Sequence, residues 1–179
     1  MIAVHVAHLL QAPVGTIRSY EFSETEPWLE QELGVRGPIT GRVKLTRTTH
    51  GILADCSYRA ELEQECGRCL GTARCVVESE FSSEFLPRID VFTGLPQEIV
   101  ADPEEPRIGP NHLLDLADEI RQDVVTSQPI QPLCREACAG LCPSCGQDLN
   151  VARCGCERHA EAEPVGRLGE LLKSKLTPS

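Results

Sequence analysis

The chain has 179 residues, enough for one domain or a domain with an appendage, and at that length roughly 70% of the unfolded surface can be buried without staples. Acids outnumber bases by 27 to 17, a net charge of −10, which works against broad phosphate binding and fits a basic protein partner or plain solubility. Aromatic residues make up only 4%, so a core must rest on Val, Leu, Ile and Ala. No apolar run approaches the roughly 18 residues of a membrane span, so a membrane protein is not expected.

The first residues, MIAVHVAHLLQAPVG, lack a cationic start, and two histidines interrupt the apolar run, so they do not read as a secretory signal. With ten cysteines and no such signal, the expected compartment is the reducing cytoplasm, where thiols hold metal or stay reduced. Ile2, Val4 and Val6 alternate with Ala3, His5 and Ala7 and predict a strand over 2–8. Turn formers and acids dominate from Leu10 to Pro38, where Glu26 to Leu33 predicts a short helix with Pro27 in its first turn.

Three period-two runs follow. Ile39, Val43 and Leu45 alternate with Thr40, Arg42, Lys44 and Thr46. After a break at His50-Gly51, Ile52, Ala54, Cys56, Tyr58, Ala60 and Leu62 share one face, and Val77, Phe81 and Phe85 do so in the third run. This predicts an antiparallel sheet with one wet face, the β-rich part of an α+β fold spanning 1–97. Gly67 and Gly71 place Cys66-Gly67-Arg68-Cys69 at a hairpin end.

Residues 98–111 read as an acidic, Pro-rich linker, with Asp102, Glu104 and Glu105 as solvated charges. Asn111 then caps a helix over 112–128 that packs on the sheet through Leu113, Leu116, Ala117, Ile120 and Val124. A cysteine-rich module at 134–159 and an amphipathic helix at 165–176 complete the chain.

The module carries the strongest chemical signal. Six cysteines from Cys134 to Cys156 are spaced C-x3-C-x3-C-x2-C-x8-C-x-C, with Cys142-Pro143-Ser144-Cys145-Gly146 at the centre. A segment this polar cannot hold itself together by burial, and soft thiolates in tetrahedral geometry suit zinc. The expectation is one structural Zn²⁺ ion on Cys138, Cys142, Cys145 and Cys156, with Cys134 and Cys154 as alternates. Iron–sulfur ligation and plain reduced thiols are the competing readings. His159, three residues after the C-x-C, reads as solvated, with a substitute ligand as the other reading, and the remaining histidines, at 5, 8, 50 and 112, are scattered.

Cys66 and Cys69 are open between half of a second metal site completed by tail cysteines, a redox dithiol, and two thiols at a hairpin end. A thioredoxin-type reading needs a strand-to-helix turn, and this pair lies between strands. Cys56 reads as core, and Cys75 is left open. No Ser/His/Asp arrangement, phosphate loop or spaced carboxylate pair stands out, so neither an enzyme nor a small-molecule substrate is expected. Arg42, Lys44 and Arg47 make an outward basic face, a candidate RNA-backbone contact with Arg68 and Arg74 nearby, against the plainer reading of a polar sheet surface.

These residues together resemble the YceD family of large-ribosomal-RNA-accumulation proteins. The resemblance rests on Cys66-Gly-Arg-Cys69-Leu70 after alternating strands, Leu114-Asp115-Leu116, Pro132-Leu133-Cys134, and Cys138-Ala-Gly140-Leu141-Cys142-Pro143-x-Cys145-Gly146-x-x-Leu149-Asn150 followed by C-x-C. It implies a non-enzymatic cytoplasmic factor for large-subunit rRNA, binding an rRNA precursor, a ribosomal protein, or both. It also implies that the Cys66-Gly67-Arg68-Cys69 turn lies nearer the shared function than the tail. One departure is Asp55-Cys56-Ser57, where a Gly-centred turn is expected. The alternative from another class is a thiol redox switch or zinc-releasing sensor.

Overall fold

The computed structural model describes residues 2–97 and 106–156. They fall into two compact units, Met1–Gly67 with Gly71–Glu136, and Arg68–Leu70 with the segment from Ala137 onward. The larger unit holds β1 (Ala3–His5), α1 (Ala7–Gln11), β2 (Ile17–Glu24), α2 (Pro27–Leu33), β3 (Val35–Arg47), β4 (Ile52–Glu65), β5 (Thr72–Pro87), β6 (Arg107–Ile108), β7 (Leu113–Asp115) and α3 (Ala117–Ser127).

The main sheet has the order β2-β3-β4-β5-β6, antiparallel through its first four strands. The two-residue β6 pairs parallel with Leu86–Pro87 of β5, so the sheet is mixed. Alternation determines which face is dry. Ile52, Ala54, Cys56, Tyr58, Ala60 and Leu62 of β4 are each at most 4% exposed, while Ser57, Arg59 and Glu61 face water. The register aligns these apolar positions in rows, Val43–Cys56–Phe81 and Leu45–Ala54–Ser83 among them. A slip of one residue would turn every one of them outward.

The dry face is covered by Ile120 and Val124 of α3, Leu29 of α2, Leu9 and Leu10 of α1, and by Val6 and Leu114 beside the small β1–β7 sheet, all within one core cluster. Each such buried aliphatic side chain contributes about 1.5–3 kcal/mol. Gly34 ends α2 in the left-handed region at φ 70°, and a Cβ there would meet the Glu63 carbonyl oxygen at 2.3 Å. Only glycine fits that close approach.

Several elements differ from the expectations. The predicted strand at 2–8 shortens to β1, because Val6, Leu9 and Leu10 bury on helical spacing and carry the chain into α1. The edge strand β2 is almost wholly exposed and has no apolar alternation to announce it. The helix expected over 112–128 begins at Ala117. Leu113–Asp115 instead pair with β1, and the Asp115 carboxylate, rather than Asn111, accepts a first-turn N–H, that of Ala117, at 3.0 Å. Asp55-Cys56-Ser57 lie inside the unbroken β4, and the chain turns before it, at 48–51.

Residues 98–105, the helix expected at 165–176, and His159 lie outside the described residues. Among those described, no helix is long and apolar enough to cross a membrane.

Candidate metal centres

The smaller unit is built from tight turns. Leu141 and Asp148 form an antiparallel bridge, Leu149 N–H donates to the Gly140 carbonyl at 2.9 Å, and Cys142 N–H donates to the Gln147 carbonyl at 2.8 Å. Cys142 and Cys145 therefore sit at the tip of a short hairpin. Gly146, at φ 73°, lets the chain double back there, and its N–H donates to the Cys142 carbonyl at 2.9 Å. Arg68 is clamped in the same unit. Its carbonyl accepts the Leu141 N–H at 3.0 Å, and its guanidinium donates to the Cys138 carbonyl at 3.0 Å. Arg68 thus serves backbone contacts of the tail.

Two sets of four sulfurs are gathered, each with all Sγ atoms within 4.8 Å of one another. One is Cys66, Cys69, Cys134 and Cys138; the other is Cys142, Cys145, Cys154 and Cys156. The expected quartet is therefore redistributed. Cys142, Cys145 and Cys156 come together, their fourth partner is Cys154, and Cys138 joins the set containing Cys66 and Cys69. The cause is the C-x-C: Cys154 and Cys156 both reach the hairpin tip, which leaves Cys138 to a different group. Sequence reasoning also passed over Asn150. Its amide donates to Cys138 Sγ at 3.4 Å and its Oδ1 accepts the Ala139 N–H at 2.9 Å, orienting the thiol much as outer-shell groups orient metal ligands. The signal available was Asn150 itself, closing the Leu149-Asn150 end of the motif.

The electrostatics of the second set suit a cation. Backbone N–H groups of Ser144 and Cys145 point at Cys142 and pull its thiol down to about 6. Cys156 is pushed up to about 12, first by its hydrogen bond with Cys145, then by burial and repulsion from the neighbouring thiols. Four thiolates this close repel one another unless a positive ion sits among them. A Zn–S distance of about 2.3 Å gives a tetrahedron with sulfurs about 3.8 Å apart, which fits within the observed span. Either quartet could hold a metal ion. Four protein ligands would leave no position for substrate, so such sites are structural in type.

The basic residues singled out in the sequence are placed differently from one another. On the wet sheet face Arg42 pairs with Glu21 at 2.5 Å, Lys44 with Asp55 at 2.7 Å, and Arg59 with Glu78. Lys44 and Ser82 hold the Asp55 carboxyl below its usual range. Arg47 turns inward and donates to the carbonyls of Leu10 at 3.1 Å, Thr48 at 2.6 Å and Gly51 at 2.8 Å. Its cation is spent on backbone. Arg74 reaches Glu63 at 3.6 Å.

The family model "Large ribosomal RNA subunit accumulation protein YceD" matches residues 54–172, a stretch containing all ten cysteines and therefore both quartets. The chain belongs to the YceD family. Uncharacterized proteins of Mycobacterium tuberculosis and Mycobacterium bovis are 30% identical over 131 residues, covering 73% of this chain and 60% of theirs. The chain thus spans about three fifths of the length of these curated relatives. A chloroplastic protein of Arabidopsis thaliana, named a large ribosomal RNA subunit accumulation protein YCED homolog, is 36% identical over 58 residues, covering 32% of this chain and 18% of its own. No solved structure matches.

Proposed function

We propose that this chain is a non-enzymatic, cytoplasmic ribosome-biogenesis factor. It supports processing and accumulation of large-subunit rRNA by binding an rRNA precursor, a ribosomal protein, or both. The YceD family match over most of the chain carries this reading. The name of the Arabidopsis relative agrees with it. The pairing of Arg42, Lys44 and Arg59 with acids leaves the wet sheet face without a broad cationic surface for phosphates. Protein contacts and short RNA segments are therefore favoured over general RNA affinity.

In the same proposal each cysteine quartet holds one structural Zn²⁺, contributing on the order of 10 kcal/mol of local folding free energy. Thiolate donors and a tetrahedral span support zinc over harder ions. Depleting the protein and measuring large-subunit rRNA and free small subunits tests the function. A fall in mature large-subunit rRNA is expected; unchanged rRNA and subunit levels would remove the proposal.

A further inference from the structure

One cleft in the larger unit differs in chemistry from the others. It measures about 410 Å³ and is formed by β1, α1 and the edge strand β2, with His5, His8, Thr16, Arg18 and Tyr20 in its wall and Leu9 beneath. No carboxylate lines it. The clefts beside Arg42, beside Lys44 and beside Gln64 each include at least one, Glu78, Asp55 and Glu65 respectively. In a chain of net charge −10, an acid-free lining with one guanidinium and two imidazoles is a local reversal of sign.

Arg18 makes no ion pair among the described residues, unlike Arg42 and Lys44 on the neighbouring strand. Arg18 and Tyr20 stand two positions apart on β2 and so project from the same face, about 7 Å apart. Tyr20 is 37% exposed. Thr16 Oγ1 donates its proton to the Pro13 carbonyl at 2.7 Å, so its lone pairs remain as acceptors for a hydroxyl donor. A phenol for stacking, a guanidinium for phosphate and an acceptor for a ribose 2′-OH are the groups that single-stranded RNA uses.

We infer that this cleft binds a nucleotide of single-stranded RNA, with the base on Tyr20, the phosphate on Arg18 assisted by His5 and His8, and the ribose hydroxyl on Thr16. The inference rests on the rRNA reading above and gives it a specific contact. The cleft lies ahead of residue 54, outside the region that the family model matches.

The test uses the full zinc-loaded chain and a fluorescein-labelled hexauridylate, with affinity read by anisotropy at low ionic strength. Arg18→Glu and Tyr20→Ala should each weaken binding by roughly tenfold, while Tyr20→Phe and Arg42→Ala bind as the parent does. The hexamer of deoxyuridylate should bind more weakly than the RNA. Wild-type affinity in both Arg18→Glu and Tyr20→Ala overturns the site, and equal affinity for the deoxy hexamer removes the ribose contact. In depleted cells, an Arg18→Glu/Tyr20→Ala chain that restores large-subunit rRNA fully refutes the cleft and leaves the biogenesis role standing. Absence of any depletion effect refutes the role itself.

Discussion

The hydroxyl of Tyr58 donates to Oδ2 of Asp123 across 2.7 Å, tying the middle of β4 to α3 through residues 65 positions apart. Asp123 also faces the Ser127 hydroxyl at 3.5 Å, and the Tyr58 ring meets Phe81 edge-on with centroids 6.3 Å apart. The hydrogen bond holds the helix in register over the sheet. Tyr58→Phe keeps the ring and removes the donor to a partly buried carboxylate, so it should cost about 1–2 kcal/mol of unfolding free energy. Urea titration of the variant against the parent checks this.

Cys56 and Tyr58 also predict alkaline lability. Burial, reinforced by Asp123, pushes the Cys56 thiol up to about 12, and burial with the Asp123 hydrogen bond pushes Tyr58 up too. Above the unfolded thiol value near 9, the unfolded chain releases a proton that the folded chain retains. The Cys56 contribution is therefore fully present below about pH 9 and is lost as pH rises toward 12, at up to about 1.4 kcal/mol per pH unit. Cys56→Ala should flatten the decline between pH 9 and 10 in denaturant midpoints, at the expense of a lower plateau.

Arg47 and Arg42 should separate in stability measurements. Arg47→Ala takes a donor from the carbonyls of Leu10 and Thr48, while that of Gly51 keeps the Thr48 N–H at 3.1 Å, and should lower stability by about 2 kcal/mol. Arg42→Ala removes one exposed ion pair and should change it by less than about 1 kcal/mol. Thermal melts of both variants decide whether the basic strand is split in this way.

Zinc content gives the cleanest test of the two quartets. The purified chain should carry two equivalents by elemental mass spectrometry, with Cys145→Ser and Cys134→Ser each retaining one. Both side chains are exposed, so neither exchange disturbs an apolar core. Loss of both ions in Cys145→Ser would show that the sites load together. Cys142→Ser should loosen residues 137–156 while far-UV circular dichroism keeps the strand signal, because the sheet has its own core.

The strands with the strongest alternation were legible. β3, β4 and β5 follow from period-two burial, and the 66–71 turn follows from its glycines. β2 was not, since an edge strand with eight largely exposed residues, of which only Phe22 packs on the core, writes little alternation into its sequence. β7 was hidden for another reason. Leu113 to Asp115 sit at helical spacing with Ala117 and Ile120, and only pairing with Ala3 to His5 makes them a strand. The tail was readable as thiolate chemistry, but its partition into quartets depends on turns that place Cys154 beside Cys142, which spacing alone does not encode.

The order of strands along the chain also schedules its folding. From β2 to β5 each strand pairs with the one just made, so the meander can assemble as the polypeptide leaves the ribosome. β1 is the exception, for its partner begins at Leu113. Until that strand is synthesised, Ile2, Val6, Leu9 and Leu10 have no complete cover. A chain arrested before Leu113 emerges keeps these four side chains partly uncovered, an apolar surface that favours aggregation.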